Sequence, residues 1–142
     1  MQQVVDELAI RNLLARTAQL ADWGTLEEYE TCYTADAVWS MPASPAVGLP
    51  ASDVTGREAI IAGARDRRAA GIQGPGARRR HVLTTIRVEL DAADEATAHS
   101  VFLFLDESQI PPALASSGRY VDTVRRDGDA WRLAVRRIVL DS

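Results

Sequence analysis

The stretch GARRRHVLTTIRVELD, residues 76–91, decides how this chain folds. Three arginines lead into a run with a period of two, so residues 80–90 predict a long strand with His81 at its start. On that period His81, Leu83 and Thr85 share one face, and Val82, Thr84, Ile86 and Val88 share the other. Three similar runs follow, at 96–106, 118–126 and 131–140. DAADE (91–95) and RDGD (126–129) read as the hairpin turns of the first and last pairs, and ESQIPPALASSG (107–118) as a longer loop. The second half of the chain is therefore an antiparallel meander.

Upstream of residue 76 the period is helical. Ile10, Leu13, Leu14, Thr17, Ala18 and Ala21 fall along one broad face of a helix over 5–22. TLEE (25–28) is a capping box with Thr25 as N-cap and Glu28 reaching back, which opens a second helix over 26–33. DAVWSM (36–41) reads as a short strand, PASPAVGLPASDVTG (42–56) as a Pro/Gly loop, and REAIIAGARDRRAA (57–70) as a third helix. Helices first and a meander second make an α+β fold. One helical layer cannot cover both faces of such a sheet. The sheet must curl around a cavity or bury its outer face against another copy.

The bulk properties narrow the function. The 142 residues fit one domain, 1–142, and 46% apolar with 25% charged residues fits a globular chain. A net charge of −4 argues against nucleic acid and anionic membrane surfaces as partners. No apolar run approaches the roughly 18 residues of a membrane span, and the N-terminus reads as an amphipathic helix rather than a signal peptide, so a cytoplasmic location is expected. Cys32 is the only cysteine, and all 16 basic residues are arginine, which rules out a lysine Schiff base.

Few residues can carry chemistry. Leu14, Ala18 and Asp22 are spaced by four, so Asp22 continues the apolar stripe of the first helix; the following N-cap role already belongs to Thr25. A carboxylate there is costly without a partner, and the imidazole of His81 is the natural one. An Asp–His pair would fix the tautomer and leave the other ring nitrogen as a base near neutral pH. The alternative is an Asp22 solvated in a turn and a His81 bonded to a backbone group. His99, in ATAHSVFLFLD, reads as a core or interface histidine, and two distant histidines do not make a metal site. The arginines at 57, 65, 67, 68, 78, 79 and 80 read as a solvated surface, and no phosphate loop or cofactor fingerprint is present.

The order and spacing of IRNLLARTAQLAD, YTADAVW with GREAI, RRHVLTTIRVELD, ATAHSVFLFLD and GRYVDTVRRDGDAWRLAVRRIVLD resemble the SnoaL-like branch of the nuclear transport factor 2-like superfamily. The resemblance implies a cone: three N-terminal helices on a strongly curved antiparallel sheet around a deep apolar pocket. Relatives similar to scytalone dehydratase pair an aspartate ending the first helix with a histidine opening the long strand, positions that Asp22 and His81 match. Arg136 matches a pocket arginine of a dehydrochlorinase, whose first-helix lysine falls at Thr17. The ketosteroid isomerase base falls near Met41. The dehydratase tyrosine near that point is missing, so Tyr33 or Tyr120 would replace it. The expectation is a cofactor-independent lyase, isomerase or cyclase acting on a cyclic, partly apolar metabolite. Asp22 and His81 would be catalytic, with Thr17, Tyr33, Trp39, Phe102, Phe104, Tyr120 and Arg136 around the substrate, no metal, and a homo-oligomer, dimer before trimer. The alternative is a non-catalytic module like the small subunits of ring-hydroxylating dioxygenases.

Overall fold

The computed structural model describes residues 1–141. Helix α1 (Gln2–Trp23) buries one stripe, Asp6, Ile10, Leu13, Leu14, Thr17, Ala21 and Asp22, at spacings of three and four. The capping box forms as the sequence predicts: the Thr25 hydroxyl accepts from the Glu28 amide, and the Glu28 carboxylate accepts from the Thr25 amide, each at 3.0 Å. It opens a short helix, α2 (Leu26–Glu30), and α3 runs over Arg57–Ala69. Among the described residues no helix is long and apolar enough to cross a membrane.

Six strands form one open sheet: β1 (Tyr33–Met41), β2 (Ser52–Thr55), β3 (Arg79–Ala92), β4 (Glu95–Asp106), β5 (Ala113–Asp127) and β6 (Ala130–Leu140). Their spatial order is β2-β1-β6-β5-β4-β3. The meander β3–β6 is antiparallel, but β1 lies parallel to β6, a pairing that no hairpin constrains because α3 and four strands separate the two in the chain. Two expected loops hold strand. Ser52–Thr55 pairs with Val38–Met41, and Ala113–Ser117 extends β5 against the end of β4. Both segments lie beside prolines, whose turn signal outweighs the weak local strand pattern.

The strict period of two in β3 breaks at Thr85. Its φ is +52°, and the register with β4 slips between Thr84 and Arg87. This β-bulge inserts one extra residue, so the faces exchange beyond it. His81 and Leu83 stand across from Phe104 and Phe102, while Val88 and Leu90 stand across from Ala98 and Ala96. All of these point to the helical side, and Ile86, Val88 and Leu90 pack against the core. The expected sharing of an outer face by Val82, Ile86 and Val88 is thus corrected: Val82 stays outside and the other two turn in. In β4 the even positions 96–104 are buried and the odd ones half-buried, which puts Phe102 and Phe104 inside and His99 outside.

Candidate active site

The helices and the concave face of the sheet enclose a cavity whose wall includes Thr17, Ala18 and Ala21 of α1, Tyr29 of α2, and Trp39 and Met41 of β1. Ser44, Val47 and Leu49 of the hairpin-like turn after β1 cover one side. His81, Phe102, Phe104, Tyr120, Arg136 and Ile138 supply the sheet side.

Asp22 and His81, 59 positions apart, are in direct contact. The carboxylate is 1% exposed. Its Oδ2 accepts the His81 backbone N–H at 2.8 Å, and its Oδ1 lies 2.6 Å from His81 Nδ1. A carboxylate acceptor at Nδ1 calls for the proton to sit there, which leaves Nε2 with a lone pair. Nε2 has no protein partner among the described residues, and His81 lines the cavity. The end of α1 that carries Asp22 has no basic residue in its last turn. Arg68 of α3 supplies that cap, donating to the carbonyls of Gly24, Leu20 and Ala21 at 2.8, 3.0 and 3.2 Å.

Beyond His81 the sheet presents a continuous π surface. Phe104 lies 4.5 Å from the imidazole, centroid to centroid, and Phe102 stacks on Tyr120 at 4.6 Å and 17°. The Arg136 guanidinium sits 3.8 Å above the Tyr120 ring. Its Nε and one terminal nitrogen donate to the two oxygens of Asp122 at 3.0 and 2.9 Å, a fully buried bidentate pair. Burial pushes the Asp122 carboxyl up, against the pull of Arg136. Burial also opposes the charge on Arg136, but Asp122, Tyr33 and Tyr120 outweigh it and hold the guanidinium above its ordinary value. Burial likewise raises the Tyr33 and Tyr120 hydroxyls, which stay protonated.

Of the residues expected around a substrate, Thr17, Trp39, Phe102, Phe104, Tyr120 and Arg136 line the cavity. The Thr17 hydroxyl donates its proton to the Leu13 carbonyl at 2.7 Å and offers the cavity only lone pairs. Tyr33 is not in the wall. It is completely buried behind Tyr29, whose hydroxyl meets it at 2.7 Å. Tyr29 is the wall tyrosine that the sequence reading missed. The capping box made its helix predictable, but nothing local shows which way a lone tyrosine on a one-turn helix faces. Arg67, read as surface, also lines the cavity. Among the described residues no group of three or more His, Cys, Asp and Glu could hold a metal ion.

The profile of the SnoaL-like domain family matches residues 2–137. No curated protein matches the chain. Among solved structures it is similar to a nuclear transport factor 2-like protein with a cystatin-like fold from Novosphingobium aromaticivorans, at 25% identity and a TM-score of 0.81, covering 99% of this chain and 84% of that one. It is also similar to a candidate scytalone dehydratase from the same organism (21%, TM-score 0.76, 99% and 87% covered). A third is the beta subunit of a candidate aromatic-ring-hydroxylating dioxygenase, again from that organism (20%, 0.76, 99% and 92%). The last two likenesses are of fold alone.

Proposed function

This chain belongs to the SnoaL-like domain family, and from that premise we propose that it is a cofactor-independent dehydratase-type lyase for a cyclic, partly apolar metabolite of polyketide or steroid type. The observation that carries this reading is the Asp22–His81 contact, with a buried carboxylate on Nδ1 and an unpartnered Nε2 toward an apolar cavity. In the proposed step Nε2 takes a proton from the carbon beside a ring carbonyl. The C–H electron pair moves onto the carbonyl as an enolate, then forms the C=C bond as the β-hydroxyl leaves. The imidazolium returns its proton to that hydroxyl, so the products are water and the unsaturated ketone. Asp22 stabilises the imidazolium throughout. The Tyr29 hydroxyl and Arg136 donate toward the enolate oxygen. Isomerisation or cyclisation would begin with the same proton transfer.

The test is turnover of a panel of cyclic β-hydroxy ketones by wild type and by His81→Ala, normalised to folded protein. Loss of the general base should slow turnover about 10²–10⁴-fold. Full turnover by folded His81→Ala would overturn the mechanism. No turnover of any panel member by wild type would favour a non-catalytic module, the reading that the dioxygenase beta-subunit fold supports.

A further inference from the structure

Three residues of the cavity wall can carry positive charge, Arg67, His81 and Arg136, and no carboxylate lines it among the described residues. Two of the three are already matched: Asp22 stands behind His81, and Asp122 is bidentate on Arg136. Arg67 is different. It makes no side-chain hydrogen bond and no ion pair with any described residue. Its neighbours do: Arg57 donates to the Tyr33 carbonyl, Arg68 to the end of α1, Arg79 to the Ile72 carbonyl, and Arg80 pairs with Glu107.

The unmatched guanidinium is nonetheless held in place. It lies 4.8 Å from the centroid of the Trp39 ring, itself a buried part of the wall. One turn earlier on α3 stands Gly63, where a Cβ would come within 3.2 Å of Arg67 Nη1. Glycine costs helix stability at such an interior position, and here it leaves clearance for the guanidinium. A planar donor fork, stacked on an indole, half-buried and without a counterion, is built to receive a planar anion.

We propose that Arg67 is an anion subsite and that the natural ligand carries a carboxylate on its apolar ring body. This deepens the lyase reading, since it names the chemical class of the ligand for the same cavity, but the subsite does not depend on turnover. The carboxylate would rest on Arg67 and Trp39, with the rings along Phe104, Phe102 and Tyr120.

The experiment is calorimetric binding of 2-naphthoate and of its uncharged isostere 2-naphthamide, at low and high salt, to the full chain. Wild type should bind the acid about tenfold more tightly than the amide, as one charge-assisted pair implies, and high salt should narrow the gap. Arg67→Gln should abolish the preference while amide affinity stays. Arg65→Gln, on the exposed side of the same helix, should change nothing. His81→Ala should keep the preference, which separates the subsite from catalysis: turnover can fail while the subsite stands, and the reverse. Equal binding of acid and amide by wild type, binding of neither, or a preference that survives Arg67→Gln overturns the proposal. Should Arg67→Gln fail to fold, an acid preference in wild type that does not weaken with salt overturns it equally.

Discussion

Asp22 spends both carboxylate oxygens on one residue, Oδ2 on the His81 backbone and Oδ1 on its ring. The backbone contact persists whatever side chain stands at 81; the ring contact does not. An amide at 22 has a single acceptor oxygen for two N–H donors. It must either abandon one donor or turn its NH₂ toward Nδ1, which drives the ring proton to Nε2 and removes the base. Asp22→Asn should therefore slow turnover about 10²–10⁴-fold, comparably to His81→Ala. Its stability cost should be roughly 1–3 kcal/mol, the cost of a buried polar group left unpaired. The double variant should be no slower than His81→Ala alone, because the two act as a unit; additive losses in steady-state kinetics would separate them. Both residues were legible in the sequence because each sits at a position its element makes conspicuous, an acid on an apolar stripe and a histidine opening a strand. Tyr29 and Arg67 were not. A tyrosine in a one-turn helix and an arginine among six others reach the cavity only through how α2 and α3 dock.

Among the elements, β3 shows how one residue redirects a strand. Thr85 takes a left-handed conformation that is unfavourable for a β-branched side chain. Thr85→Gly should be neutral or stabilising, since glycine adopts that conformation freely, whereas Thr84→Gly in the regular ladder should cost about 1 kcal/mol. Urea midpoints of the two variants check the contrast. Helix α1 is tied to the far end of the sheet by Asp6, which accepts from Gln2, from Arg126 at 2.8 Å and from Trp131 Nε1 at 3.3 Å. The hydrogen bond from Arg126, then that from Gln2, lowers the Asp6 carboxyl below its ordinary 3.8. A carboxyl lowered in the folded state contributes stability above its unfolded value, and that stability is lost as pH falls through the folded one. The melting temperature should thus drop between about pH 7 and about pH 3, and drop less in Asp6→Asn. An equal drop in the variant would remove Asp6 from that account. Glu28, Asp36 and Asp106, lowered in the same way by backbone or side-chain hydrogen bonds, act in the same direction, and the raised Asp122 carboxyl opposes them.

Across the whole molecule, the outer face of the sheet keeps Val82, Val101, Leu103, Val121 and Val139 half-buried, with Arg119 and Arg137 beside them. We propose that a second copy covers this face, a two-fold pairing being the commonest closed assembly. Light scattering at micromolar concentration should give twice 15.5 kDa; the single-chain mass would overturn it. The case rests on Val82 and the central valines, because the bulge turns Ile86 and Val88 toward the helices. By itself the sequence determined what depends on neighbours in the chain: the helix over α1, the capping box before α2, four long strands, two hairpin turns, and the two residues whose polarity contradicts an apolar pattern. Only the tertiary structure decided the parallel β1–β6 pairing, the β2 strand, the exchange of faces at Thr85, the Arg136–Asp122 pair and the cavity side of Tyr29 and Arg67. Each of these joins segments far apart in the chain, or depends on a slip of register one residue long. Local periodicity carries no information about which distant backbone supplies a hydrogen-bond partner, and a single inserted residue reverses every side chain beyond it.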